Sequence, residues 1–327
     1  MSISTQATGL ATRAAEATPS AARRPGPPAR PARRRRFSPT PYLFLAPGIL
    51  LFAVTILYPM VQAFQMSFFD WKIVGSATSE FLGLDNYARA LGDEQFWLAS
   101  GNTVVYIVAT VIPQIALGLI VALLLHKRSP VQPLYRVLYY LPVVTSWVVV
   151  SLLFRFLFAD EGLINFTLGD LLHVTSGDTS WLADRWTGLA AICALGIWKG
   201  IGWSMMIFLA ALQGVPQSLL EAATMDGANR WQRFRAVTLP AIRAALGFVT
   251  VMLVIGGFNV FISVYLMTGG GPAGRTDVLL TYMYRQAFEF LDLGYGSAVS
   301  VLLTLAIFVL SVIQLRVFRD RSGEVLS

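Results

Sequence analysis

The sequence predicts an all-α polytopic membrane protein with six transmembrane helices, and three observations support this prediction. The first is composition: 55% of the 327 residues are hydrophobic, only 13% are charged, and the mean hydropathy is +0.62. The second is a set of six long apolar runs, and the third is an uneven distribution of basic residues between the segments that join them. This composition excludes a pair of soluble domains, which the length alone would allow.

Each of the six runs is predicted to cross a bilayer. A hydrocarbon core of about 30 Å needs roughly 20 helical residues, and the third run is the shortest of the six. Five runs carry no charged residue, and the fourth carries one, Lys199. The runs are Tyr42–Met66, Thr103–Leu125, Val137–Phe154, Trp186–Gly214, Ala244–Thr268 and Leu293–Leu315.

The basic residues set the predicted orientation. If the N-terminus is inside, 18 of the 25 Lys and Arg residues fall in inner segments and six in outer ones. Cytoplasmic loops carry such an excess, so six spans place both termini in the cytoplasm. Residues 1–40 are rich in Ala, Pro and Arg and are predicted to form a disordered basic tail. We interpret its Arg33–Arg36 cluster as a topology signal rather than a lipid-surface or nucleic-acid patch.

We divide the chain into four parts. The basic tail covers 1–40, the first span and its outer loop cover 41–98, a core of five spans covers 99–316, and a second cytoplasmic tail covers 317–327. A cytoplasmic loop at 214–240 lies within the core. Cys193 is the only cysteine, and His126 and His173 lack the partner spacing of a zinc site or a catalytic triad. We therefore expect no disulfide within the chain, no metal site and no enzyme activity.

The loop at 214–240 has the pattern of two short helices joined by a turn. Ser218 and Glu221 have the spacing of a capping box, and Gly227 can adopt the left-handed conformation that ends a helix. The second helix then places apolar residues at helical spacing and closes with a proline: Trp231, Phe234, Val237 and Pro240. An apolar face outside the bilayer needs a cover, which is the membrane surface, the protein's own bundle or a cytoplasmic partner.

The segment EAATMDGANRWQRFRAVTLP at 221–240 resembles the EAA loop of importer-type ATP-binding-cassette permeases. The family pattern is EAA, then DGA, then an aliphatic residue and LP, and Val237 stands where isoleucine is more usual. The resemblance implies the type I ABC importer permease fold, with the first helix of the loop docked in a groove of an ATPase subunit. Glu221 would cap that helix and face the ATPase, and Gly227 would permit the turn. The matching residues are Glu221, Ala222, Ala223, Asp226, Gly227, Ala228, Phe234, Leu239 and Pro240.

Other stretches resemble the maltose-type sugar permease subfamily, namely FLGLDNY at 81–87, NT at 102–103, YLMTGGGP at 265–272, YMYRQAF at 282–288 and GYGSA at 294–298. The resemblance implies an alternating-access importer of a mono-, di- or oligosaccharide in a bacterial plasma membrane. Its implied partners are membrane lipid, a second homologous permease, two ABC ATPase subunits and an extracytoplasmic solute-binding lipoprotein. ATP would be used on the ATPase subunits, so we expect no cofactor on this chain and no nucleic-acid partner.

Polar and aromatic residues within the spans are candidates for the substrate pathway. Lys199 would cost about 2.5–3.5 kcal/mol at the centre of a membrane helix, unless it reaches backbone carbonyls or snorkels. Trp203 lies one turn further on the same face. Aromatic rings with polar neighbours suit a sugar, because its C–H faces stack and its hydroxyls need hydrogen bonds. Three further candidates, each of which could instead hydrogen-bond between helices, are Asn259, Tyr265 and Gln114.

Three alternatives compete with the carbohydrate hypothesis, and one of them, a membrane-embedded enzyme, lacks a catalytic cluster. Glycerol-3-phosphate could be the cargo of the same architecture. An ion-coupled secondary transporter would need acidic or histidine residues within the spans, and the six runs contain none. A nucleotide site at GGGPAGRT, residues 269–276, has the spacing of a phosphate-binding loop, but Arg275 replaces the lysine and the segment follows a membrane span. We expect this segment to be a flexible outer loop that contacts the binding protein or gates the pore.

Overall fold

The structure, a computed structural model, describes residues 40–71, 79–126, 129–174 and 179–320. Residues 1–39 of the first predicted tail (1–40) and residues 321–327 of the second (317–327) lie outside the described residues. Residues 317–320 were predicted to belong to the second tail, but they are helical and continue the last membrane helix. The chain divides after Phe52 into two units. Helix α1 belongs to the first unit, and every other element belongs to the second.

The described chain is mostly helical, with a two-stranded sheet in its first loop. The sheet is antiparallel and pairs Phe69 with Phe81 and Asp70 with Glu80. The strands are β1 (Phe69–Asp70) and β2 (Glu80–Phe81). The α-helices are α1 (Thr40–Phe52), α2 (Tyr58–Met66), α3 (Asp85–Gly92), α4 (Glu94–His126), α5 (Gln132–Val144), α6 (Trp147–Leu157), α7 (Leu163–Asn165), α8 (Arg185–Gln213), α9 (Gln217–Met225), α10 (Arg230–Arg233), α11 (Leu239–Ala241), α12 (Arg243–Phe258), α13 (Ile262–Met267), α14 (Leu279–Tyr284) and α15 (Leu293–Asp320). Four π-helical segments are Ala53–Leu57, Phe166–Leu171, Phe234–Thr238 and Arg285–Glu289.

Four helical segments of the described residues are long and apolar enough to cross a membrane by themselves. They are Leu43–Met66, Glu94–His126, Arg185–Gln213 and Leu293–Phe318. Two bent pairs of helices raise the number to six if each pair counts as one span; they are Gln132–Val144 with Trp147–Leu157, bent by 94°, and Arg230–Ala241 with Arg243–Phe258, bent by 67°. The predicted runs therefore coincide with helical segments, although α4 begins nine residues before its predicted start and within the part assigned to the outer loop.

Two of the predicted spans are not continuous helices. The run Val137–Phe154 is broken between α5 and α6, whose axes differ by 94°. The run Ala244–Thr268 is broken between α12 and α13, at residues 259–261. Hydropathy predicts the length of an apolar run and not its direction, so the prediction of six spans did not include these two breaks.

The core of the second unit is the packing of α4 against α8. Small residues along α8 allow this approach: a Cβ on Gly196 would lie 2.6 Å from the Tyr106 hydroxyl, and one on Gly200 would overlap the Gln114 amide. On α4, a Cβ on Gly118 would lie 2.6 Å from Cβ of Ser204. Close contact through small residues is the usual way for helices to associate in lipid, where no hydrophobic force drives them together.

The two broken spans place their halves against different neighbours. The N-terminal halves pack on the long helices, α5 on α8 and α12 on α4 and α15. The C-terminal halves, α6 and α13, pack against each other. At each break, therefore, the chain leaves the long helices on which α5 or α12 packs. Beyond the breaks, α6 and α13 pack against each other.

Candidate functional site

Two adjoining cavities lie at the two helix breaks. The large cavity has a volume of about 590 Å³, and the small cavity has a volume of about 220 Å³. Both are lined by Tyr106, Trp147 and Gly256. Trp147 is the first residue of α6, and the large cavity also takes its lining from the break between α12 and α13. Residues at the two breaks thus line the cavities between the helices.

Four of the five pathway residues expected from the sequence line these cavities. Gln114, Lys199 and Trp203 line the small cavity, and Asn259 lines the large one. Tyr265 lies outside the lining of both. Its ring stacks on Phe261 at a centroid distance of 5.3 Å, and Phe261 lines the large cavity. Trp147 was missed by the sequence analysis, because the one local signal of the break before it, Pro142, is also common in continuous membrane helices.

Aromatic rings continue from the large cavity along one side of α13 and α14. Phe261 meets Tyr284 edge to face at 5.0 Å, and Tyr265 meets Tyr284 at 5.6 Å. Tyr284 in turn contacts Phe288 at 5.1 Å. Tyr265 and Phe288 are exposed. The four rings form one connected apolar surface with hydroxyl groups at two positions.

The loop between α8 and α12 confirms the predicted pair of short helices joined by a turn. It contains α9, α10, a π-helical segment and α11, and none of the residues of these elements is buried. Apolar residues project from α9, where Leu219 is 52% exposed and Met225 is 88% exposed. A short helix with apolar side chains so open to solvent is a surface that a partner can cover.

The caps of the two loop helices differ from the prediction. The N-cap of α9 is Pro216, and no side chain caps this helix, so the expected capping box of Ser218 and Glu221 is wrong. A capping box occurs instead at α10, where Asn229 accepts from the backbone N–H of Gln232 and the Gln232 side chain accepts from that of Asn229. Asn-x-x-Gln carries the same signal as Ser-x-x-Glu, so the sequence contained it.

Gly227 has the left-handed conformation that the sequence predicts. Its φ is +78°, and the turn is closed by bonds from its N–H to Thr224 and from Ala228 N–H to the Ala223 carbonyl. The side chains of the two helices also meet, because Arg233 donates to the Thr224 hydroxyl at 2.7 Å. The helices are therefore held in a fixed relation across the turn.

The remaining EAA-loop residues lie on the open side of this helix pair. Glu221 faces a groove of about 320 Å³ between α9 and α10, together with Arg230 and Phe234. Within the described residues its carboxylate has no hydrogen-bond or ion-pair partner. The residues left exposed are Glu221, Ala222, Asp226, Gly227 and Pro240, and those half-buried are Ala223, Ala228, Phe234 and Leu239.

The loop at 269–276 is held in place by side chains, which differs from the flexible loop expected. Arg285 donates to the Gly269 carbonyl at 2.8 Å and forms an ion pair with Asp277 at 2.7 Å. The Thr276 hydroxyl donates to the Gly271 carbonyl at 2.7 Å. Four of its residues adopt positive φ, and only one of them, Ala273, is not a glycine. The ion pair and the hydroxyl therefore fix this conformation.

The side chain of Asn102 connects α4, on which it lies, to α8 and to the segment between α13 and α14. Its amide nitrogen donates to the carbonyls of Arg275 and Asp277 at 2.8 and 2.7 Å. Its amide oxygen accepts two bonds from the guanidinium of Arg185, at 2.9 and 3.1 Å. The sequence analysis singled out Asn102 and Thr103 only as part of a resemblance. The contacts of Asn102 with a distant loop could not be inferred from spacing along the chain.

The Asp277 carboxyl is expected to make stability depend on pH. Burial raises its pKa from 3.8 to about 6, the Arg285 guanidinium and the Thr281 hydroxyl lower it, and Glu289 raises it. The folded state then holds the proton more tightly than the unfolded chain does. The contribution of Asp277 to stability is therefore fully present below about pH 4 and is lost as the pH rises through about 6.

Thermal unfolding in detergent between pH 4 and 7 measures this contribution. The Asp277→Asn variant should lack that part of the pH dependence. Glu289→Gln should move this pH dependence to lower pH, because the substitution removes a group that raises the Asp277 pKa. An unchanged slope in Asp277→Asn would contradict the assignment.

Comparison with known proteins gives a family match and close relatives. The family described as "Binding-protein-dependent transport system inner membrane component" matches residues 114–322. The arabinooligosaccharides transport system permease protein AraP of Halalkalibacterium halodurans is 36% identical over 279 residues, which are 84% of this chain and 86% of the relative. The lactose transport system permease protein LacF of Rhizobium radiobacter is 33% identical over 293 residues, which are 88% of this chain and 97% of the relative.

Solved structures share the fold at lower identity. A chain from a bacterial ABC transporter involved in the import of the acidic polysaccharide alginate superposes with a TM-score of 0.74 at 23% identity, covering 86% of this chain and 95% of that one. A second, from the alginate transporter in complex with an alginate pentasaccharide-bound periplasmic protein, has a TM-score of 0.72 at 23% identity, covering 84% and 92%.

Proposed function

Because the chain belongs to the family of binding-protein-dependent transport system inner membrane components, we propose that it is the membrane-spanning subunit of an ATP-driven carbohydrate importer. It is a multi-pass protein of the bacterial plasma membrane. Relatives named for arabinooligosaccharides and lactose support carbohydrate as the cargo. The cavities, with aromatic rings beside a few polar groups, suit the stacking faces and hydroxyls of a sugar.

The observation that carries the coupling part of the proposal is the exposed helix pair α9–α10. It combines the EAA-loop residues with projecting apolar side chains and a fixed turn. We propose that α9 docks on a cytoplasmic ATPase subunit and that Glu221 faces that subunit. ATP is then bound and hydrolysed by two ATPase partners, and the present chain acts without a cofactor of its own. Alternating access between the two sides of the membrane would follow from the movement of this loop.

The remaining partners in the proposal are a second, homologous permease and an extracytoplasmic solute-binding lipoprotein. A solved relative of the same fold comes from a complex with a periplasmic protein that binds a pentasaccharide, which supports this partner class. In the proposed orientation both termini and the loop at 214–240 lie in the cytoplasm, as the excess of basic residues in those segments favours.

The cavities favour an uncharged saccharide over glycerol-3-phosphate. Among the described residues that line the large cavity, none is charged. The small cavity contains Lys199, but its ammonium lies 2.6 Å from two backbone carbonyl oxygens and has little capacity left for an anion. A phosphate would lose its hydration without finding a free cation. In reconstituted vesicles, an uncharged sugar such as lactose is therefore the probe expected to be taken up. Uptake of glycerol-3-phosphate and not of lactose would reverse the choice.

Two measurements test the coupling proposal. The chain should co-purify with its ATPase, and uptake into vesicles should require ATP. Orientation can be tested with single cysteines, since Cys193 is buried. In spheroplasts a membrane-impermeant maleimide should label Glu161→Cys, and it should label Ser218→Cys only after permeabilisation. Labelling of Ser218→Cys in intact spheroplasts, or solute movement by the purified chain without an ATPase, would contradict the proposal.

A further inference from the structure

Lys199 closes the break between α5 and α6. Its Nζ donates to the carbonyl oxygens of Pro142 and Thr145, each at 2.6 Å, and lies 3.4 Å from that of Val143. The residue is 4% exposed. These carbonyls stand at the C-terminal end of α5, where the last turn of a helix has no intrahelical donors. The lysine therefore supplies the donors that the missing next turn would have supplied.

This arrangement accounts for a charged residue in the middle of an otherwise apolar helix. A cation stabilises the negative end of a helix dipole, and three backbone carbonyls replace its lost hydration. The same contacts join α8, which carries Lys199, to the bend of 94° between α5 and α6. The Pro142 carbonyl also accepts from the Thr145 hydroxyl at 2.6 Å, whereas the Thr145 carbonyl depends on the lysine for its side-chain donor.

Trp147 stands directly beyond this bend. It is the first residue of α6 and lines both the large and the small cavity. Nζ of Lys199 lies 5.0 Å from the centroid of its ring, which is within the range of a cation–π contact. The ammonium thus holds both the backbone that leads to Trp147 and the indole ring itself.

We propose that Lys199 is a positioning residue, which fixes the α5–α6 bend and so places the indole of Trp147 at the junction of the two cavities. Trp147 is the group that meets cargo, and Lys199 acts through it. This inference rests on the proposed function in one respect, that cargo passes through these cavities. The placement of Trp147 by Lys199 is a statement about the fold and can be tested without transport.

The structural test uses the intact transport complex labelled with 5-fluorotryptophan. The ¹⁹F resonance of Trp147 is assigned by its absence in Trp147→Phe. In Lys199→Met, which keeps the length of the side chain and removes the charge, this resonance should shift or broaden. The matched control is Ser204→Ala, because Ser204 is on the same helix, is also buried and has no hydrogen bond to the bend among the described residues. If Lys199→Met is not produced, Lys199→Gln removes the charge, keeps two N–H donors, and should also shift or broaden this resonance.

The functional test measures sugar uptake per ATP hydrolysed in reconstituted vesicles. Lys199→Met should lower this ratio by about tenfold, the factor that corresponds to about 1.4 kcal/mol. A variant that merely lost stability would lower uptake and ATP hydrolysis together. In a Trp147→Ala background, Lys199→Met should have little further effect, since the two residues act as one unit.

The outcomes separate the inference from the proposed function. An unchanged Trp147 resonance in Lys199→Met, or additive effects of the two substitutions on the uptake ratio, would overturn the inference. A shifted resonance in a complex that shows no ATP-driven uptake even as wild type would leave the placement of Trp147 supported and would instead refute the importer function.

Discussion

Replacing Gly227 by valine is expected to reduce ATP-driven uptake by about tenfold or more while the membrane helices stay folded. Gly227 has a φ of +78°, and a β-branched residue is strained in that region by about 1–3 kcal/mol. The strain falls on the turn that joins α9 to α10, on which the proposed ATPase contact depends. Uptake and ATP hydrolysis by the reconstituted complex, with thermal unfolding of the same sample, measure the effect.

The control for this prediction is a second substitution at the same position. Asparagine tolerates the left-handed region better than other non-glycine residues do, so Gly227→Asn should keep most of the uptake. A Cβ at this position would meet no heavy atom of the described residues within 4 Å. The pair of variants therefore compares backbone strain and not steric fit. Equal losses of uptake in both variants, or no loss with valine, would show that ATP-driven uptake does not depend on the left-handed conformation at position 227.

Replacing Gly202 by alanine is expected to lower the yield of folded protein and its Tm more than any other glycine-to-alanine change in α8. A Cβ here would overlap the backbone carbonyl oxygen of Tyr139 and would lie 3.0 Å from a methyl group of Val143. A main-chain carbonyl cannot rotate away as a side chain can. Such overpacking costs typically 1–3 kcal/mol and occasionally more. The measurement is thermal unfolding in detergent.

Two other glycines provide the comparison. Gly101→Ala in α4 meets open space among the described residues and should be neutral or slightly stabilising, because alanine favours a helix. Gly200→Ala meets the side chain of Gln114, which can adopt another rotamer, so its effect should be intermediate. If Gly202→Ala behaved like Gly101→Ala, the close approach of α8 to α5 would be wrong.

The positions of the apolar helical segments could be predicted from the sequence, but the breaks within two of the predicted runs could not. Hydropathy averages over a window and carries no information about a bend. The breaks did have local signals: Pro142 lies two residues before the end of α5, and a pair of glycines and Asn259 lie at the end of α12. Each is common in continuous membrane helices too, because neighbouring helices can satisfy the freed backbone groups.

The loop at 214–240 was the part of the molecule that the sequence predicted best. Its helices, turn and left-handed glycine depend on interactions between residues only a few positions apart, and such interactions can be read from spacing. The sequence analysis named Ser218 and Glu221 as a capping box and missed Asn229 and Gln232, which have the same spacing. The N-cap residue of α9 is Pro216, whose side chain has no hydrogen-bond acceptor, so α9 has no side-chain cap.

The site within the membrane was predicted only in part. Spacing along one helix brought Lys199 and Trp203 together, and the structure places both on the small cavity. The partners of Lys199 are carbonyl groups more than 50 residues earlier in the chain. Every residue carries a carbonyl, so no residue type in the sequence marks these partners. The same holds for Asn102, whose amide bonds to the carbonyls of a loop more than 170 residues away.

The two helix breaks have a consequence for the chemistry of the interior. Helix ends expose amide and carbonyl dipoles, so around the cavities much of the polarity comes from the main chain. Main-chain dipoles neither titrate nor change when one residue replaces another. The proposed transport route can therefore remain wettable over a wide range of acidity and through long sequence drift, while the side chains around it are free to vary with the cargo.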